Sequence, residues 1–223
     1  MTEVRRFAGA DELGRALAEE IVAAGPALLG CPGGRSLLTT FRALPELAAT
    51  TFVMMDEYVP VPPPSAHYSC RGFAERELRG GERWLPDPDE PEAYDERIEE
   101  AGGIDLFLLA SGASDGHVAM LGPGAPRDGR TSVVTLAEST RRDNLATFPA
   151  FASLDEVPTH GVSVGLATIA EARALRLVLH GLDKREATAR LLALDRFDPS
   201  WPASVVHDHP DARVYVDREA LGE

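Results

Sequence analysis

The sequence predicts an α/β fold: a mostly parallel central sheet with helices on both faces. Three observations predict it. Short apolar runs at residues 27–30, 51–55, 106–109 and 175–180 alternate with segments of helical periodicity along the chain, the pattern of strands joined by crossover helices. The run at 106–109 is apolar at every position, as in a strand covered on both sides. Turns of small residues follow two of the runs, at Pro32-Gly33-Gly34 and at residues 112–116, where open parallel sheets place their ligands. With 223 residues, 44% of them hydrophobic, the chain can bury one large core and reads as a single domain, 1–223.

Residues 11–24 place Leu13, Leu17 and Ile21 at helical spacing, with Asp11 as N-cap and Gly25-Pro26 as the stop. Residues 27–30 are a short buried strand, and 36–47 the next helix, interrupted near Pro45. The β-rich run 51–55 ends on an acidic turn, Asp56-Glu57-Tyr58. The proline-dense stretch 59–65 that follows cannot be helix. Residues 68–78 and 93–101 read as helices around a polar loop at 86–91, and 131–136 as a further β-rich segment. Residues 162–164 are a strand or turn, 168–173 a short helix, 175–180 a buried strand, 183–194 a helix and 214–216 a last strand.

The formal charge of −14, with no dense basic run, excludes a general nucleic-acid binder. A small anionic substrate needs only a local cationic pocket, to which Arg35, Arg141, Arg142 and Lys184 can contribute. Cys31 and Cys70 have no metal-ligand spacing and are expected as free thiols. The residues after Met1 lack a signal-peptide core, and no apolar run approaches membrane-spanning length. A cytoplasmic protein without membrane contact is expected. No His cluster joins carboxylates at ligand spacing, and neither a metal nor a cofactor is expected.

Four places can carry chemistry. Gly33-Gly34-Arg35-Ser36 lies between strand and helix, where free N–H groups can hold a phosphate, although a tight structural turn gives the same pattern. Asp56 and Glu57 are adjacent carboxylates that must point apart, one as base and one as support, or else form a solvated acidic turn. Asp115 can orient His117, a general acid or base, or can cap the following helix. Lys184 opens a helix, as phosphate ligand or as surface charge. No Gly-X-Ser-X-Gly elbow accompanies Ser111 or Ser114, which argues against a serine hydrolase.

Taken in order, Gly33-Gly34, Met55-Asp56-Glu57-Tyr58, Asp115-Gly116-His117 and Gly181-Leu182-Asp183-Lys184 resemble the motifs of the glucosamine-6-phosphate deaminase/isomerase and 6-phosphogluconolactonase superfamily over nearly the whole chain. The resemblance implies a Rossmann-like sugar-phosphate isomerase fold and a phosphorylated sugar as substrate, with a homo-oligomer possible. It implies Asp56, Asp115 and His117 as catalytic residues, and Gly33, Gly34, Arg35, Ser36, Lys184 and Arg142 as phosphate or substrate ligands.

The Met-Asp-Glu-Tyr segment and residues 139–148 are similar to deaminases; Gly33-Gly34-Arg35-Ser36 and Leu121-Gly122-Pro123-Gly124 are closer to lactonases. Deaminases resembling this chain have a ring-opening Glu where Gly122 stands, and an Arg just before the Phe near position 148, where Ala146-Thr147 stand. The implied reaction is aldose–ketose isomerisation with loss of ammonia, His117 opening the ring and Asp56 moving a proton between C2 and C1. Lactone hydrolysis, with His117 activating water, is the alternative, and a non-catalytic sugar-phosphate sensor is a third. The sensor is disfavoured by the retained Asp56, Asp115 and His117 and by the lack of a basic helix-turn-helix.

Overall fold

The computed structural model describes residues 2–223. In chain order the elements are β1 (Glu3–Phe7), α1 (Ala10–Ala24), β2 (Leu28–Cys31), α2 (Leu38–Ala43), β3 (Thr51–Met54), β4 (Asp56–Val59), α3 (Cys70–Glu77), β5 (Arg83–Trp84) and α4 (Glu92–Glu100). Then follow β6 (Leu106–Ala110), β7 (Ser132–Thr135), α5 (Glu138–Thr147), β8 (His160–Ser163), α6 (Leu166–Ala170), β9 (Leu175–Leu179), α7 (Arg185–Leu192), β10 (Ala212–Asp217) and α8 (Arg218–Leu221).

Seven strands form one sheet in the order β1-β10-β9-β6-β2-β3-β5, with every pairing parallel. Its strands sort their side chains by period two. Leu29, Phe52, Met54, Leu106, Leu108 and Tyr215 meet α1, α2 and α3 on one face. Leu28, Val53, Phe107, Leu109, Leu177 and Val216 meet α4, α6 and α7 on the other. Helix α1 docks through Leu13, Leu17 and Ile21, all fully buried, a stripe stabilising the fold by about 1.5–3 kcal/mol per side chain.

Several boundaries differ from the sequence reading for local reasons. The N-cap of α1 is Gly9, because Glu12 reaches back to accept from the Ala8 N–H at 2.7 Å and leaves Asp11 within the first turn. Arg35–Leu37 is a 3-10 turn, so α2 begins only at Leu38, and Leu44 turns extended ahead of Pro45. Strands β1 and β5 and helix α5 are additional to the elements that the sequence predicts. β1 is a sheet edge in which three of five residues, Glu3, Arg5 and Arg6, are charged with no regular alternation, and β5 is two residues long.

Asp56-Glu57-Tyr58 is not a turn. It belongs to β4, the edge of a second, antiparallel sheet ordered β4-β8-β7, with Asp56 opposite Ser163 and Glu57 opposite Val162. Residues 162–164, left between strand and turn, are thus largely strand. This small sheet and α5 stand beside the C-terminal ends of the central strands. β2 has β3 on one side and β6 on the other, so the chain winds away in both directions there and opens a crevice.

Candidate active site

A cleft of about 470 Å³ fills that crevice, bordered by the loops after β2, β6 and β9, by Asp56 at the start of β4, and by α5. Gly33, Gly34, Arg35, Ser36, Asp56, His117 and Lys184 line it, Asp115 and Glu57 brace the lining residues His117 and Cys70, and Arg141 and Arg142 stay outside.

The turn after β6 is built around one imidazole. Asp115 Oδ1 lies 2.7 Å from His117 Nδ1 and accepts the His117 backbone N–H at 3.1 Å; Oδ2 accepts Ser139 Oγ and Thr140 Oγ1, both at 2.7 Å. Burial by itself would raise the Asp115 pKa, but the hydrogen bond and charge of His117, with the two hydroxyls, outweigh it and hold the carboxyl well below the usual range. An ionised Asp115 makes His117 Nδ1 a donor and leaves Nε2 to exchange a proton with a bound molecule.

Two glycines make this turn possible. A Cβ at Gly112 would fall 2.1 Å from His117 Nδ1, and Gly116 holds φ at 66° with the Trp201 ring against it.

Asp143, on α5, lies 3.8 Å from His117 Nδ1 and accepts the Ser114 N–H at 3.1 Å. Asp115, His117 and Asp143 converge closely enough to suggest a cation site. Both Asp115 oxygens already accept from protein donors that a cation would displace, so the arrangement suits an oriented imidazole better.

Asp56 and Glu57 point apart, as neighbours on a strand must. Glu57 is buried and accepts from the backbone N–H groups of Tyr58, Cys70 and Arg71 at 2.9, 3.1 and 2.9 Å, and from Ser69 Oγ at 3.2 Å, anchoring the N-terminus of α3. Asp56 is buried at the cleft wall. Burial raises its pKa from 3.8 to about 6, with Glu57 adding to the rise and Cys70 and His117 opposing it. Such a carboxylate is basic enough to take a proton from carbon next to a carbonyl.

Two cations border the cleft. Arg35 borders the cleft behind Gly34, whose φ of 95° turns the chain into the 3-10 segment. Lys184 donates to the Ser111 carbonyl at 2.8 Å, and burial lowers its pKa while Asp183 and Asp143 pull it up. Arg142 faces outward, paired with Glu138 at 2.6 Å and mostly exposed. Arg141 is spent on the carbonyls of Leu154 and Val157. Neither reaches the cleft, because α5 turns its 139, 140, 143 and 147 face inward. That i, i+4 spacing of Ser139, Asp143 and Thr147 is the signal by which Asp143 could have been found. Gly122 packs near Ala137 and Thr140, outside the cleft lining.

A crevice at the carboxyl ends of parallel strands, lined by two cations, an imidazole and a basic carboxylate, defines an α/β protein suited to acid–base chemistry on a small anion. Residues 7–215 match the family of glucosamine-6-phosphate isomerases/6-phosphogluconolactonase, and the chain belongs to that family.

A glucosamine-6-phosphate deaminase of Bacillus pumilus is 32% identical over 237 residues, 96% of each chain. One from Shouchella clausii is 41% identical over 132 residues, 59% of this chain but only 51%, about half, of that enzyme. Among solved structures, a monomeric glucosamine-6-phosphate deaminase superposes with a TM-score of 0.89 at 27% identity over 99% of both chains. Among the described residues no helix is long and apolar enough to cross a membrane.

Proposed function

We propose that this chain is a glucosamine-6-phosphate deaminase, converting glucosamine 6-phosphate and water to fructose 6-phosphate and ammonia. The observation that carries the reading is Asp56: a buried carboxylate with its pKa near 6, in the same cleft as an Asp115-oriented His117. The names of the relatives support it.

The phosphate sits against the backbone of Gly33 and Gly34, with Arg35, Ser36 and Lys184 supplying donors and charge. His117 Nε2 takes the proton from the O1 hydroxyl of the closed sugar and returns one to the ring oxygen, opening the ring to the aldehyde. Gly122 supplies no carboxylate for this step, and the acids nearest His117 are Asp115 and Asp143. Asp56 then takes the C2 proton, electrons move to the carbonyl, and the proton is delivered to C1. The resulting C2 imine adds water and releases ammonia, leaving the ketose.

One domain, 1–223, suffices for this reading: β1 pairs with β10, tying the first and last strands into one sheet, and this chain's own loops and α5 line the cleft. A charged sugar phosphate and two free thiols, Cys31 and Cys70, favour a cytoplasmic enzyme.

Gly122 favours a second reading, 6-phosphogluconolactonase, in which His117 activates a water for attack on the lactone carbonyl and Asp56 has no proton to move. Purified protein given glucosamine 6-phosphate, followed by ammonia and fructose 6-phosphate, and separately fresh 6-phosphogluconolactone, followed by acid release, decides. Ammonia release lost in Asp56→Asn supports deamination, and acid release alone replaces it with lactone hydrolysis.

A further inference from the structure

The Cys70 thiol is buried, takes no part in the steps above, and lies 3.2 Å from Asp56 Oδ1. Its position is fixed from three sides. Cys70 is the first residue of α3, behind the Ser69 cap. Its backbone N–H is held by Glu57 Oε1 at 3.1 Å. The phosphate loop closes over it, since a Cβ at Gly33 would lie 3.3 Å from Sγ. Burial first, then the charges of Asp56 and Glu57, keep the thiol pKa well above its ordinary value, so the group is S–H across the range in which Asp56 titrates. A protonated thiol beside a carboxylate is a donor, and the carboxylate can only accept.

We propose that Cys70 is a positioning residue for Asp56: its S–H engages one carboxylate oxygen, favours the ionised form, and leaves the other oxygen to carry the substrate proton. Among the described residues no other side chain donates to Asp56. The remaining titratable groups around it are Glu57 and Tyr58 on its own strand, His117 from the turn after β6, and Tyr94 from α4. Glu57 opposes ionisation and His117 favours it, while burial keeps both tyrosines neutral. Cys70 is thus the neutral donor in a site otherwise governed by burial and two charges. The proposal rests on Asp56 as the proton carrier of the deaminase reading.

The test titrates Asp56 directly, by carbon-13 resonances of labelled carboxylates assigned with Asp56→Asn, in the substrate-free enzyme and its Cys70→Ala and Cys70→Ser variants. Losing the donor raises the Asp56 midpoint by about half a pH unit or more in Cys70→Ala, and Cys70→Ser, which keeps a donor, holds it at or below the parent value. The acid limb of kcat/KM for glucosamine 6-phosphate moves with it. A midpoint unmoved in Cys70→Ala, or raised equally in Cys70→Ser, overturns the proposal. The titration needs no turnover, so a parent enzyme inactive on glucosamine 6-phosphate defeats the deaminase reading while the hydrogen bond is still judged. Should Cys70→Ala not fold, the infrared S–H band that disappears in Cys70→Ser decides: it moves to lower frequency as Asp56 ionises, and a fixed band overturns the proposal.

Discussion

His117 Nδ1 lies 2.7 Å from Asp115 Oδ1 although only Gly116 separates the two residues. A pair so close in sequence meets only because the turn doubles back, with Gly116 at positive φ and Gly112 leaving no Cβ beneath the ring. Asp115 in turn is held by Ser139 and Thr140 of α5, so the imidazole is referenced to the helix that walls the cleft.

Replacing Asp115 by Asn removes the acceptor that fixes the imidazole tautomer, and Gly112→Ala drives a methyl into the ring. Both should lower kcat by about 10²-fold or more through loss of an oriented acid–base group. Steady-state kinetics beside circular dichroism checks this. Kinetics within threefold of the parent in a folded Gly112→Ala variant would show that the observed turn does not set the reacting geometry.

Asp56 should set the acid limb of activity and also cost stability. The working form is the carboxylate, so kcat/KM should rise with pH through about 6. The folded pKa lies above the ordinary 3.8, so between the two values the folded state keeps a proton the unfolded chain has lost. Stability therefore falls as pH rises from near 4 to near 6 and levels off above. The full effect, by linkage, is of order 3 kcal/mol at most. Asp56→Asn should be inactive in isomerisation yet melt several degrees higher at pH 8, with the gain vanishing near pH 4. Thermal melts across that range test the sign, and a gain that grows on acidification contradicts it.

Glu57 is predicted to matter for folding rather than turnover. Its carboxylate accepts four hydrogen bonds, three of them from backbone N–H groups, of which those of Cys70 and Arg71 tie β4 to the start of α3. Glu57→Ala strands those donors in a buried place and should cost roughly 3–5 kcal/mol. Chemical denaturation measures this. A loss under 1 kcal/mol would mean that water replaces the carboxylate and that β4 is held by its pairing with β8 alone.

The inner strands β2, β3, β6 and β9 were legible because they are mostly apolar on both faces, and the exits at Gly33 and Asp115 because small and ionisable residues meet in the turns that follow them. β4 was hidden: two adjacent carboxylates look like a solvated turn unless it is known that β8 pairs with them and that α3 offers Glu57 its N–H groups. Those partners lie far away in sequence, and periodicity carries no record of them. The outward placement of Arg142 was hidden for a different reason. On a helix, neighbouring residues diverge by about 100°, so choosing between Arg141, Arg142 and Asp143 as cleft-facing required the helix phase, which only packing against Asp115 supplies.

That phase gives the last prediction. Arg35 and Lys184 border the cleft, whereas Arg142 pairs with Glu138 on the outer face of α5. If the substrate's phosphate is held by these two cations, Arg35→Ala and Lys184→Ala should each raise KM by about 10–100-fold with smaller changes in kcat, the pattern of binding energy shared by ground and transition states. Arg142→Ala should stay within about twofold, since an exposed i, i+4 pair contributes little. Inorganic phosphate should inhibit the parent competitively and lose potency in the first two variants only. A KM defect confined to Arg142→Ala would require α5 to rotate its outer face into the cleft on binding, and that rotation would pull Ser139 and Thr140 away from Asp115. His117 would then lose its orientation when substrate arrives, which is incompatible with acid–base catalysis by the pair.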